Sequence, residues 1–154
     1  MENVQLTGDS RVSSMSSVRV LVVDDYEPFR RFVCSTLRQR PALQIICEAS
    51  DGAEAVRRAA ELKPDLIVLD IGLPTLNGIE AARRIRKVSP TSKIIFVSQE
   101  SSPDVVQEAL SVGGLGYVLK THAGSDLLAA VDAVLESRQF VSCGFVGPLP
   151  QRQK

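Results

Sequence analysis

Five short aliphatic runs recur along this sequence, each followed by a stretch with the periodicity of an amphipathic helix. In order they are VRVLVV and a helix near Glu27 to Gln39, LQIICEA and AEAVRRAAEL, DLIVLD and GIEAARRIRKV, KIIFVS and DVVQEALSV, and GYVLK and SDLLAAVDAVLESR. Runs that are apolar at nearly every position belong to strands buried on both faces. The pattern therefore predicts a parallel sheet covered by helices on either side, with right-handed crossovers. Five pairs are too few to close the usual eight-fold barrel. The expected fold class is α/β, a three-layer, doubly wound (βα)5 parallel sheet. The punctuation agrees: Pro41, Pro64 and Pro90 each fall between a helix and the next strand, and Asp51 and Ser125 stand where helix N-caps are wanted.

The regular texture spans 18–139, one domain's worth of chain. Residues 1–17 are rich in Ser and poor in large apolar side chains, and read as a flexible N-terminal extension. Residues 140–154 are broken by Gly and Pro and read as a C-terminal tail, a frayed terminus in which Phe140, Phe145 and Val146 offer apolar contacts. Lys plus Arg equals Asp plus Glu at 18 each, so no global basic field exists to hold nucleic acid, and direct nucleic-acid binding by this chain is not expected. Cys34, Cys47 and Cys143 are odd in number and lack CxxC spacing, which suits reduced thiols rather than a disulfide frame or a zinc site. No apolar segment approaches the about 18 residues that span a bilayer, and no signal-peptide centre precedes Val18, so a cytoplasmic location away from membranes is expected.

Ligands of open parallel sheets sit at the carboxyl ends of the strands, so the residues that close each apolar run carry the chemistry. The first run closes on Asp24 and Asp25, the third on Asp70, the fourth on Ser98 and the fifth on Lys120. In strand order 2-1-3-4-5, the first and third strands are neighbours about 4.8 Å apart, and the three acids meet with Ser98 and Lys120 beside them. Two carboxylates about 4 Å apart repel by roughly 1 kcal/mol in water and by several times that where partly buried. Three acids against one Lys leave surplus negative charge, which a hard divalent cation with oxygen ligands, Mg²⁺, neutralises. Cation, unengaged carboxylate, ammonium and hydroxyl together are what phosphoryl transfer to or from a carboxylate requires.

Ordinary readings stand beside these. Asp24 or Asp25 alone suits a helix cap, and Tyr117 and Phe96 suit core positions. His122, the one histidine, suits a surface or helix start; Arg83, Arg84, Arg86 and Lys87 suit the solvated side of the third helix, and Arg30 and Arg31 that of the first. Besides a phosphorylation switch, two other classes fit the topology. A hydrolase with an aspartyl-phosphate intermediate usually separates its acids as DxD, whereas here they are adjacent. A nucleotide or flavin site wants a Gly- or Ser/Thr-rich loop after the first strand, where this chain has DDYEPF.

The ordered set VLVVDD, LIVLDIGLPTLNGIEAARRIR, IIFVS and GYVLK resembles the receiver domain of two-component response regulators, over about Val18 to Gln139. Its most specific element is the DxxLPxxxG arrangement of Asp70, Pro74 and Gly78, and the wording is closest to receivers of LuxR/NarL-type regulators. The resemblance implies the flavodoxin-like receiver fold and a signalling switch that catalyses at most its own phosphorylation and dephosphorylation. It implies that Asp70 accepts a phosphoryl group from a sensor histidine kinase or phosphotransfer protein. Mg²⁺ is then held by Asp25 directly, by Asp24 mainly through water, by Asp70 and by the backbone carbonyl of Gly72. Ser98 and Lys120 bind phosphoryl oxygens. Ser98 and Tyr117 form the switch, Tyr117 following Ser98 inward, and the surface of the fourth helix, fifth strand and fifth helix changes its output partner or dimerises. The helix after the first strand faces the kinase in this family.

Departures from the pattern are Thr121, where many receivers have proline, and Gln99, where a small residue is common and a longer side chain narrows access. Glu100 and Gly72 occupy positions that influence phosphate lifetime in the family. The helix-turn-helix output domain is missing. The chain is then either a stand-alone receiver, which the Met start and polar, lysine-terminated end favour, or the N-terminal receiver of a DNA-binding regulator.

Overall fold

The computed structural model describes residues 17–142. Strands β1 (Val18–Val23), β2 (Leu43–Ala49), β3 (Leu66–Asp70), β4 (Lys93–Ser98), β5 (Gly116–Leu119) and β6 (Phe140–Val141) alternate with helices α1 (Glu27–Leu37), α2 (Gly52–Leu62), α3 (Gly78–Val88), α4 (Pro103–Ser111) and α5 (Ala123–Leu135). The strands form one sheet in the order β2-β1-β3-β4-β5-β6, with every pairing parallel. The doubly wound α/β fold and the 2-1-3-4-5 order expected from the apolar runs are both present.

Alternation along each strand divides the core between the two faces. Leu21, Val23, Ile67, Leu69, Ile94, Phe96 and Tyr117 pack on α2, α3 and α4, whereas Val20, Val22, Leu66, Val68, Ile95, Val97 and Val118 pack on α1 and α5. Central β1, β3 and β4 are buried almost throughout, while edge strand β2 is buried only at its ends. Asp51 caps α2 as its position suggested, accepting from the Glu54 N–H at 2.7 Å. Ser125 does not cap α5. A 3₁₀ turn, Lys120–His122, runs straight into that helix, which starts two residues earlier, and the Ser125 hydroxyl bonds the His122 carbonyl from inside the first turn. Cys34 is buried and Cys47 half-buried, both free; burial pushes the Cys34 thiol up to about 11, so it stays protonated and inert. No described helix is long and apolar enough to cross a membrane.

The sheet carries one strand more than the five apolar runs. Phe140 and Val141, which in the sequence look like the start of a tail, pair in parallel with Gly116 and Tyr117. Phe140 N–H donates to Leu115 O at 3.0 Å and Ser142 N–H to Tyr117 O at 2.9 Å. The Ser142 hydroxyl then accepts the Leu119 N–H at 3.0 Å, and Ser142 is only 1% exposed. Periodicity has no purchase on a two-residue strand, so only the open edge of β5 reveals it. Phe145 and Val146 lie outside the described residues, as do Cys143 and the first 16 positions. Ser142→Ala keeps the backbone ladder but orphans a buried donor at the end of β5; urea denaturation is expected to show a loss of about 1–2 kcal/mol.

Candidate functional site

Register brings the acids together. Val22 pairs with Val68 and Val23 with Leu69, so Asp24 and Asp70 occupy the next rung of neighbouring strands and, by alternation, point to the α1 and α5 face. Lys120 follows Leu119 with the same parity. Its ammonium lies 3.0 Å from Asp24 Oδ2 and 3.5 Å from Asp70 Oδ2. Asp24 and Asp70 are buried and Asp25 is exposed, yet each offers a carboxylate oxygen within 4.8 Å of the other two.

The three carboxylates are not equivalent. Asp24 is saturated: Oδ1 accepts the Tyr26 N–H at 2.8 Å while Oδ2 holds Lys120. Asp70 keeps weaker ties, a 3.3 Å bond from the Gly72 N–H and the longer approach of Lys120. Burial and the neighbouring Asp24 charge push its carboxyl up to about 6, against the pull of Lys120. Asp25 faces the cleft with no ion pair or hydrogen bond to its carboxylate among the described residues.

The site opens into a cleft of about 610 Å³ lined by Asp25, Asp70, Gly72, Ser98, Gln99 and Lys120. Its far end lies between α3 and α4, where Arg83 pairs with Glu80 at 3.0 Å and approaches Glu108 at 3.5 Å. Arg83 is thus not simply solvated, although among the described residues Arg84 pairs only with Glu80 on its own helix. The loop beneath the cleft is fixed at both ends: Gly78 N–H donates to Ile71 O at 2.8 Å, and Asn77 caps α3 by accepting from the Glu80 N–H at 3.0 Å.

Ser98 lines this cleft but has the opposite strand parity from Asp70 and Lys120. Its hydroxyl accepts the Glu100 N–H at 3.0 Å, and among the described residues it makes no hydrogen bond to Asp70 or Lys120. Tyr117 is 1% exposed, its hydroxyl donating to the Glu100 carbonyl at 2.7 Å, and burial raises its pKa. Its ring packs in the core on the α2, α3 and α4 face. Gln99 lies in the lining, as its length suggested.

Two residues at the site escape any reading of strand ends. Arg30 is not a solvated helix residue: it donates to the Asp24 carbonyl at 2.8 Å and to Glu48 at 2.9 Å, tying α1 to the first acid and to β2. Phe29 lies with its ring centroid 4.7 Å from the Lys120 ammonium. The helical spacing of Phe29, Val33 and Leu37 along α1 marks Phe29 as inward-facing, but nothing local says that it meets a cation.

The chain is similar to known proteins. The profile described as response regulator receiver domain matches residues 20–132. Transcriptional regulatory protein LiaR of Bacillus subtilis is 37% identical over 116 residues, which are 75% of this chain and 55% of LiaR. Chemotaxis protein CheY of Thermotoga maritima is 35% identical over 116 residues, 75% of this chain and 96% of CheY. A LuxR-family two-component response regulator from an Aurantimonas species superposes with a TM-score of 0.80 at 31% identity, covering 84% of this chain and 92% of that one. The chain spans about half the length of LiaR and nearly all of CheY. With its doubly wound sheet and its strand-end acids, the chain belongs to the response regulator receiver domain family.

Proposed function

We propose that this receiver domain is a phosphorylation switch in which Asp70 accepts a phosphoryl group from a sensor histidine kinase or phosphotransfer protein. The observation that carries the reading is the asymmetry of the acids: Asp24 is consumed by Tyr26 and Lys120, whereas Asp70 faces an open cleft with a loosely held carboxylate. An Asp70 oxygen attacks phosphorus, the bond from phosphorus to the donor's imidazole nitrogen breaks, and its electron pair leaves with the imidazole, which takes up a proton. An acyl phosphate remains on Asp70. Lys120, already 3.5 Å from Asp70, shifts toward the incoming phosphoryl oxygens, and Ser98 turns its hydroxyl from the Glu100 amide to the same group.

The donor set suits Mg²⁺: three hard carboxylates within 4.8 Å, with only one ammonium against them. Asp25, Asp70 and the Gly72 carbonyl are the groups that would hold it, with Asp24, whose oxygens already face Tyr26 and Lys120, reaching it through water; bound there it would supply positive charge against the phosphoryl oxygens. Tyr26 lines the cleft and, 62% exposed, offers an apolar contact for the donor protein. Output runs through α4 and α5 and the sheet edge between them, where β6 covers β5, to a protein partner or a second copy.

Intact-mass spectrometry after incubation with acetyl phosphate tests this reading. A gain of one phosphoryl group is expected with Mg²⁺ and none with a chelator. No gain in either sample would leave the domain as a scaffold.

A further inference from the structure

We infer that Phe29 is a positioning residue for Lys120, holding the ammonium by the face of its ring so that its N–H groups stay available to phosphoryl oxygens. This rests on the phosphoacceptor reading of Asp70. Lys120 is mostly buried, its side chain 13% exposed, and its ammonium is bounded by two carboxylates and by the Phe29 ring. The carboxylates and the ring act on it differently. Asp24 and Asp70 pair with the ammonium at 3.0 and 3.5 Å, and the phosphoryl group must compete with them for it. A ring face attracts the charge through its quadrupole without demanding a directed N–H. It therefore keeps its hold while Lys120 changes oxygen partners, and the ammonium does not have to move into solvent between them.

The ring is itself fixed. Phe29 meets Phe32 at a centroid separation of 5.6 Å and an interplanar angle of 37°, and Phe32 stands over Gly124 at the start of α5. Pro28 sets the first turn of α1 just before it, and Arg30 anchors that turn to the Asp24 carbonyl just after it. A Leu at position 29 would keep the burial and lose the cation contact; a Tyr or Trp would keep both. At this exposure the contact is expected to change the rate of phosphoryl uptake by about five-fold.

The test compares wild type, Phe29→Leu, Phe29→Tyr and Phe29→Trp, using the full chain with acetyl phosphate and Mg²⁺. The rate of acyl-phosphate formation is followed by intact mass. The NMR shifts of the Lys120 ε-methylene protons are read in the metal-free protein. Expected are an upfield ring-current shift in wild type that Phe29→Leu abolishes, an about five-fold slower uptake in Phe29→Leu, and rates near wild type with Tyr and Trp. A normal rate in Phe29→Leu overturns the inference, as does equal slowing in all three variants, which would mean that only packing matters. Absence of uptake in wild type overturns the phosphoacceptor reading itself, and with it the role of Phe29 in transfer; the ring-current shift then shows whether the contact exists regardless.

Discussion

Asp70→Asn is expected to take up no phosphoryl group from acetyl phosphate and Mg²⁺ under conditions that label wild type, while its metal-free fold is expected to be the more stable of the two. Both halves follow from the same carboxylate. An amide is no nucleophile toward phosphorus, and Asp25, though close, is not the acid that Lys120 bridges to Asp24. Stability goes the other way because Asp70 is ionised at a cost. Its carboxyl is pushed from 3.8 to about 6 by burial and by the Asp24 charge. The folded chain therefore binds this proton more tightly than the unfolded chain does. The stabilising difference is fully present below about pH 4 and is lost as pH rises through about 6. At 1.36 kcal/mol per pKa unit, the deficit at neutral pH reaches about 3 kcal/mol. Asn carries no charge to bury, and the attraction of Lys120 is already included in that deficit, so a net gain of about 1–3 kcal/mol is expected at pH 7.5.

Urea titrations of both proteins in chelator, at pH 4.5 and pH 7.5, measure this directly. The advantage of Asp70→Asn should grow with pH and should shrink when Mg²⁺ is added to wild type. Retained labelling in the variant would move the phosphoacceptor to another residue. An Asp70→Asn protein less stable than wild type in chelator at pH 7.5 would mean that Lys120 outweighs burial.

Gly78→Ala should cripple the domain by a different route. A Cβ built at Gly78 would lie 2.1 Å from the Asp70 carbonyl oxygen and 2.7 Å from the Ile71 Cα. Both are backbone atoms of the strand end that presents Asp70, so no flexible side chain can swing aside. The requirement is one of space, since Gly78 has no left-handed φ. The loop must open, breaking the 2.8 Å bond from Gly78 N–H to Ile71 O and moving Asp70 relative to Lys120. A loss of about 2–4 kcal/mol is expected in chemical denaturation, together with slower uptake of phosphoryl groups at temperatures where the variant is still folded. Gly72 provides the contrast within the same loop, because a Cβ there meets nothing within 4 Å. Gly72→Ala should cost far less, and equal losses at the two positions would refute the close approach at Gly78.

Much of this molecule is written in local order. Near-continuous apolar runs at five places specify strands buried on both faces, and the helical stretches between them specify parallel crossovers; α/β class and layer count follow. Because ligands of such sheets gather where strands end, Asp24, Asp25, Asp70, Ser98 and Lys120 are legible as a site before any distance is known. Tertiary structure decided what those residues do to one another. Parity along β4 sets the Ser98 hydroxyl toward Glu100 rather than toward Asp70, and α1 leans its Phe29 ring on Lys120 and its Arg30 on the Asp24 carbonyl. Arg83 reaches Glu108 across two helices, and Phe140 and Val141 close the edge of β5. The physical reason is common to all of these. Hydrophobic periodicity records which face of an element is dry, a property of neighbouring residues. Contacts between residues far apart in the chain depend on register, helix placement and the open edge of a sheet, which exist only after the elements have packed.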